Sequence, residues 1–181
     1  MKLSDSELVE MLREPRTRRE GFAVLVKQYS EKLYWKVRRI VLSHEDANDV
    51  LQNVFIKVWS NLQNFQGKSS LSTWLYRIAI NESLDFLRKQ KQADKVSADE
   101  DVSVASRLMS DEYFDGDEVQ ARLQEAVARL PEVQRTVFNL KYFEEMKYSE
   151  MSQILNTSEG ALKASYHLAV KKITEYLHLF D

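Results

Sequence analysis

Asp46 and Asp49 stand three residues apart and are followed by Gln52 and Asn53. On a helix these four line one edge. Two carboxylates so placed could share a proton or hold a cation, yet an exposed acid-and-amide edge suits docking on a basic, donor-rich surface better. An ordinary solvated helix face has the same composition, so residue types alone leave that reading open. A second group lies near the C-terminus: Gly160, Lys163, Ala164, His167 and Lys171 fall on one side of a helical stretch. Small residues at Gly160 and Ala164 permit close backbone approach to a duplex. Lys163 and Lys171 can reach phosphates, and His167 a phosphate or a base edge. A third group is the strip Arg77, Asn81, Asp85 and Arg88, in steps of four, four and three, where Asp85 can pair with Arg88 or Asn81.

The pattern of covalent catalysis is absent from the chain. His44, His167 and His178 are scattered, without HExxH or other metal-ligand spacing. There is no Cys, hence no thiol nucleophile, disulfide or thiolate metal site. Neither GxSxG nor the phosphate-cradling GxxxxGK[ST] occurs. No enzyme, metal or cofactor is expected.

The elements that position these groups read as helices. Four Gly and two Pro in 181 residues argue against a turn-rich β fold. Phe22, Leu25, Tyr29, Leu33, Val37 and Ile40 form one apolar stripe in steps of three and four. Ala47, Val50, Leu51, Val54, Val58 and Leu62 form the next. The polar, Gly-containing stretch from Asn64 to Ser70 predicts a loop, and a third helix is expected from Thr73 to about Lys89. Trp74 on that helix is either a core residue or a stacking platform. A short leading helix is expected over Glu7–Leu12.

After these comes an acidic, Ser-rich stretch without sustained periodicity, which reads as a flexible linker over 93–117. Its apolar members, Val102, Val104, Leu108, Met109, Tyr113 and Phe114, suggest a segment that docks somewhere. A second domain follows over 118–181. There Leu123, Val127 and Leu130 make a stripe, Pro131 suits a first helical turn, and Val133, Val137 and Leu140 continue. Ser149–Leu155 predicts a short helix, Asn156-Thr157 a turn, and Ser158 the N-cap of a longer one. In that helix Leu162, Tyr166, Ala169, Ile173, Leu177 and Phe180 form a buried stripe. Helix, turn and helix in this order can place the second helix in a major groove. Spacing alone leaves an ordinary helical hairpin with solvated lysines equally open. The expected fold is all-α: two small helical domains, 1–92 and 118–181, joined by the acidic linker.

Net charge is −2. Residues 1–90 carry 15 Lys and Arg against 11 Asp and Glu, residues 91–117 carry 3 against 8, and residues 118–181 carry 8 against 9. A domain that bound DNA unaided should neutralise several phosphates, and this balance suits one held near DNA by a partner. The N-terminus lacks a signal-peptide pattern, and no apolar run approaches the roughly 20 residues needed to span a bilayer. Cytoplasmic residence without membrane insertion is expected.

Two stretches together resemble the small, two-domain sigma factors of bacterial RNA polymerase, of the extracytoplasmic-function type. The stretch LPEVQRTVFNLKYF, then YSEMSQILNTSEGALKASYHLAVKKITEYL, is similar to the family's LPExxRxVFxLxYxExxxYxEIAxxL followed by SxGTVKSRLHRARKKL. The matches include Leu130, Pro131, Glu132, Arg135, Phe138, Tyr142, Ile154, Ser158, Gly160, Lys163, His167 and Lys172. Asp46, Ala47, Asp49, Gln52, Phe55 and Trp59 match DAEDLVQExFLxxW, and STWLYRIAINESLDFLR resembles STWLYRIARNxxxDxLR. The departures are Ala164-Ser165 for the family's Ser-Arg, Leu168 and Val170 at basic positions, Lys147 for a Ser, Asn53 where Glu is common, and Ile80 where Arg is frequent.

The resemblance implies a non-catalytic initiation factor. Asp46, Asp49, Gln52, Asn53 and Phe55 would meet the clamp helices of the polymerase's largest subunit, and the flap is a further implied contact. Asn64, Gln66, Lys68, Ser69, Arg77, Asn81 and Arg88 would engage the promoter −10 element, with the loop accepting a flipped base. Ser158, Gly160, Lys163, Ala164, Ser165, His167 and Lys171 would read the −35 element. Separating each base step costs about 0.6–2.2 kcal/mol of stacking; with no ATPase motif, that work must come from binding extruded bases. Promoter DNA, core polymerase and an anti-sigma factor are the implied partners. A dimeric helix-turn-helix regulator acting without core polymerase is the alternative, and a helical adaptor that binds only protein a third.

Overall fold

A computed structural model describes residues 2–93, 114 and 116–180. The chain divides into two compact units, Met1–Lys95 and Val96–Asp181. Every regular element among the described residues is a helix or helical turn, as expected of an all-α chain.

In the first unit α1 spans Asp5–Arg13, α2 Arg18–Val41, α3 His44–Asn61 and α4 Leu71–Ala93. Helices α2, α3 and α4 pack on one another, and α1 lies against α2. The core is where their stripes meet. Leu25, Leu33 and Val37 come from α2, Ala47, Val50, Val54 and Val58 from α3, and Leu71, Leu75, Ala79 and Ile80 from α4; all are buried. Each large apolar side chain so buried stabilises the unit by about 1.5–3 kcal/mol. Ile80 is 1% exposed, so the Ile that replaces a frequent Arg serves packing.

Short-range chemistry fixes the helix ends. Ser4 and Glu7 form a capping box at the start of α1. Arg18 Nε donates to Leu12 O at 2.9 Å, and Thr17 Oγ1 to Met11 O at 2.9 Å, closing its other end. A Cβ on Gly21 would stand 2.8 Å from Met11 Cβ; glycine is what lets α1 cross α2 this closely. Leu42, at φ 68°, turns the chain out of α2, and Ser43 Oγ accepts from Asp46 N–H at the start of α3.

In the second unit α5 spans Glu118–Ala128, α6 Glu132–Phe138, α7 Tyr148–Leu155 and α8 Glu159–Leu177. Ala126, Val127, Leu130, Phe138, Ala169 and Ile173 form its core, with Leu123, Phe143, Tyr166, Tyr176 and Leu177 packed against it. Pro131 stands at the N-cap of α6, one residue before the expected first turn. Arg135 Nη1 donates to Ala128 O and Leu130 O, both at 3.3 Å, so this motif residue stitches α6 to the chain end of α5.

Two expected stripe members lie elsewhere. After α6 the chain winds as a π-helix over Asn139–Phe143. Val133, expected inward with Val137 and Leu140, is 64% exposed: it stands in the first turn of α6, and the core is filled from further along by Thr136, Val137 and Phe138. Phe180 falls beyond α8 in a short 3-10 turn and is exposed; its ring meets Tyr176 at 5.2 Å and the Arg122 guanidinium at 4.9 Å. Most of the expected linker, with its docking residues Val102, Val104, Leu108, Met109 and Tyr113, lies outside the described residues. Asp117 belongs to α5 as its cap, accepting from Gln120 N–H at 2.9 Å.

Candidate functional site

Three surfaces hold the candidate residues, two on the first unit and one on the second. The first is the edge of α3. Its inward stripe turns Asp49, Gln52 and Asn53 to solvent, with Asp46 half-buried at the first turn. Burial first, then the neighbouring Asp49 charge, pushes the Asp46 carboxyl above its ordinary value. Phe55 sits to one side, half-buried, edge-on to Phe22 at 6.4 Å. Further along, Ile56 is 60% exposed and Trp59, 5.0 Å from the Phe22 ring, is partly exposed. The acid-and-amide edge therefore runs into an apolar patch. Ile56 went unnoticed in the sequence because it belongs to no stripe.

The second surface is the connection from α3 to α4 and the outer strip of α4. Asn64 closes a 3-10 turn over Leu62–Asn64, its Nδ2 donating to Asn61 Oδ1 at 3.2 Å. Gln66 and Lys68 are exposed, Ser69 half-buried, and Gly67 adopts φ 70°, a backbone region glycine enters freely. Ser70 Oγ caps α4 by accepting from Thr73 N–H at 3.1 Å. The loop is thus anchored at both ends with its polar tips outward. Trp74 is half-buried and packs on Phe65, ring centroids 5.1 Å apart.

On α4, Arg77 is half-buried and Asn81 exposed, while Arg88 pairs with Asp85 at 2.8 Å, as the spacing suggested. Arg88 lies about 16 Å along the helix from Arg77, so the strip is extended rather than convergent. Beside it is a feature that periodicity did not reveal. Lys36 of α2 lies over the Tyr76 ring, 4.0 Å from its centroid. Burial, then the Arg39 and Lys32 charges, lowers the Lys36 ammonium to about 8. Burial likewise lowers Arg39 to about 10. This seam between α2 and α4 is unusually cationic for a packed interface.

The third surface is the α7–turn–α8 hairpin. Asn156, at φ 51°, ends α7 in the left-handed conformation that short polar side chains tolerate. Ser158 caps α8, accepting from Ala161 N–H at 3.3 Å. Leu162, Ala169 and Ile173 are buried, and Gly160, Lys163, Ala164, His167 and Lys171 are all exposed on the opposite side. Ser165 is half-buried and less open than its neighbours. Lys163 Nζ leans over the Tyr148 ring at 5.6 Å, and Lys171 pairs with Glu175 at 3.9 Å. A Cβ on Gly160 would meet nothing within 4 Å, so packing within the protein does not require glycine there.

Comparison with known families bears on all three surfaces. The Sigma-70 region 2 family matches residues 25–93, and the Sigma-70, region 4 family matches residues 120–173. The chain is 32% identical over 157 residues to the ECF RNA polymerase sigma factor SigW of Bacillus subtilis, covering 82% of this chain and 84% of that one. It is 30% identical over 182 residues to the RNA polymerase sigma-H factor of Pseudomonas aeruginosa, covering 96% and 93%. The sigma factor RpoE of Bartonella quintana, solved with the anti-sigma factor NepR, shares its fold: TM-score 0.69 at 20% identity, covering 88% of this chain and 98% of that one.

These matches define the class as a two-region initiation subunit. The chain belongs to the RNA polymerase sigma factors of the ECF type: a transcription initiation factor that binds core RNA polymerase and directs it to promoters. The reading as a dimeric regulator working without core polymerase is not favoured. No described helix is long and apolar enough to cross a membrane.

Proposed function

We propose that the work is divided by surface. The α3 edge of Asp46, Asp49, Gln52, Asn53 and Phe55 docks on the clamp helices of the polymerase's largest subunit, where carboxylates and amides steer and orient the complex. The loop residues Asn64, Gln66, Lys68 and Ser69, with Arg77, Asn81 and Arg88 of α4, engage the −10 element and hold an extruded base. The outer face of α8, from Ser158 through Gly160, Lys163, Ala164, Ser165 and His167 to Lys171, lies in the major groove at the −35 element. Residues 1–92 thus form the core- and −10-binding domain and 118–181 the −35-binding domain, joined over 93–117. The chain carries out no covalent step itself; strand opening draws on binding energy. It works in the cytoplasm beside the polymerase.

The observation that carries this reading is α8. One side is buried and the other is an open face of small and cationic residues, within a domain whose overall charge is close to neutral. That face can position a helix on DNA but supplies few phosphate contacts, so affinity must come from a partner. An anti-sigma factor is a further partner on this reading, supported by the RpoE relative, which was solved with one. Run-off transcription tests the division. Core polymerase plus this chain should initiate at promoters that core alone ignores, and scrambling either −35 or −10 should abolish initiation. Transcription unchanged by adding the chain refutes it.

A further inference from the structure

The face of α8 that reads DNA has an unusual chemistry. From Ser158 to Leu177 the chain contains no Arg, Asn or Gln. The pairings of Arg with guanine and of Asn or Gln with adenine are therefore absent along this helix, which leaves its lysines as the groups that could donate to guanine. What the helix presents instead is a strip of Ala161, Ala164 and Leu168, in steps of three and four, all exposed. At 100° per residue the three fall within about 60° of one another, adjoining Gly160 and Lys171. Leu168 is 47% exposed, while the opposite side is already filled by Leu162, Ala169 and Ile173. Packing among the described residues of this unit thus gives no reason for a leucine there.

On the other flank stand Lys163 and His167, while Lys171 and Lys172 border the apolar strip on its two sides. Val170, also partly exposed, lies on that flank, about 160° from Leu168, and is outside the strip. A groove-facing surface with a strip of methyl groups bordered by ammonium groups has one natural complement. Thymine is the base that presents a methyl group in the major groove, and apolar side chains recognise it by contact.

We propose that α8 reads its −35 element through the C5 methyl groups of thymines, with Ala161, Ala164 and Leu168 as the reading surface and Lys163 and Lys171 as phosphate anchors. The inference rests on α8 lying in the major groove. It makes the element one defined by where thymines fall on the strand facing Leu168, with guanine readout secondary.

Deoxyuridine isolates the effect, because it removes the methyl and leaves every hydrogen-bonding group of thymine in place. Holoenzyme assembled from core polymerase and the full chain first selects a preferred −35 element from randomised promoter duplexes. Each thymine in that element is then replaced singly by deoxyuridine, and promoter affinity is measured. At one or more positions the replacement should weaken binding about fourfold, the effect of withdrawing one buried methyl group. Leu168→Ala should weaken binding to the thymine duplex and remove the thymine–uracil difference at its position. Leu168→Lys should also remove that difference, even where its added charge restores affinity.

Each alternative outcome is distinct. If scrambling the −35 element abolishes binding but no deoxyuridine substitution matters, α8 reads DNA by other means and the inference falls alone. If Leu168→Ala weakens thymine and uracil duplexes equally, Leu168 contacts a protein and the inference falls. If scrambling has no effect, the placement of α8 in the groove fails first.

Discussion

Gly160→Ala separates what the fold needs from what the DNA needs. Gly160 is the second residue of α8, has an ordinary helical backbone, and has open space where a Cβ would be. Alanine should therefore favour the helix, by about 0.5 kcal/mol, roughly half the mid-helix difference because the site is in the first turn. For a domain of this size that raises the melting temperature by roughly 2–4 °C. The same methyl would stand between the helix start and a bound duplex. Ala161 N–H is already bonded to Ser158 Oγ, and Leu162 N–H to Ser158 O. The Glu159 and Gly160 N–H groups have no acceptor within the helix, and on the proposed docking they are the ones offered to a phosphate. Losing one such charge-assisted bond costs about 1.5 kcal/mol, roughly tenfold in affinity. Thermal unfolding by circular dichroism and promoter binding by holoenzyme, on intact and scrambled −35 duplexes, read the two effects separately. A variant that melts higher yet keeps full −35 dependence refutes the close approach of α8 to DNA.

Other perturbations test the remaining surfaces. Asp49→Arg, at an exposed position, should leave the unfolding temperature unchanged while weakening binding of the labelled chain to core polymerase at least tenfold; undiminished affinity would remove α3 from the docking surface. Glu175→Gln releases Lys171 from its exposed pair. It should tighten −35 binding a few-fold at low salt, a gain that vanishes as salt rises, and a salt-independent result would place Lys171 away from phosphate. Lys36 has a folded value of about 8, below its ordinary 10.5. The unfolded chain holds this proton more tightly, so stability falls as pH drops from 10.5 to about 8, and is recovered above 10.5. Lys36→Met should therefore be more stable than the parent at pH 7 by about 1 kcal/mol, discounted for the solvent still reaching the group. The advantage should close only above pH 10.5 in denaturant titrations, and a pH-independent difference would show that burial of the charge is not its cause.

The helices of both units were legible because each carries a single inward stripe at helical spacing: Leu25 to Ile40 in α2, Ala47 to Val58 in α3, Leu162 to Ile173 in α8. Ser158 was legible as a cap because a Ser hydroxyl before an apolar run has a local task, performed here on Ala161 N–H. The outer face of α8 followed from the stripe by subtraction. What the sequence hid depends on contacts distant in the chain or on irregular winding. The π-helical stretch of Asn139–Phe143 and the exposure of Val133 in the first turn of α6 are anticipated by no periodicity rule. Lys36 over Tyr76, Gly21 against Met11 and the ion pair of Lys57 with Glu82 join residues whose neighbours are set by helix packing. The Ile56 and Trp59 patch became visible only when α3 was seen to leave that side uncovered.

The central claim is that promoter specificity resides in this chain and promoter affinity in the polymerase. Footprinting on a duplex bearing both promoter elements tests it with three samples: chain alone, core alone, and the two together. The account predicts protection of −35 and −10, with single-strand-reactive thymines near −10, only in the combined sample. Tight protection of a palindromic site by the chain alone, or protection by core that the chain leaves unchanged, would contradict it.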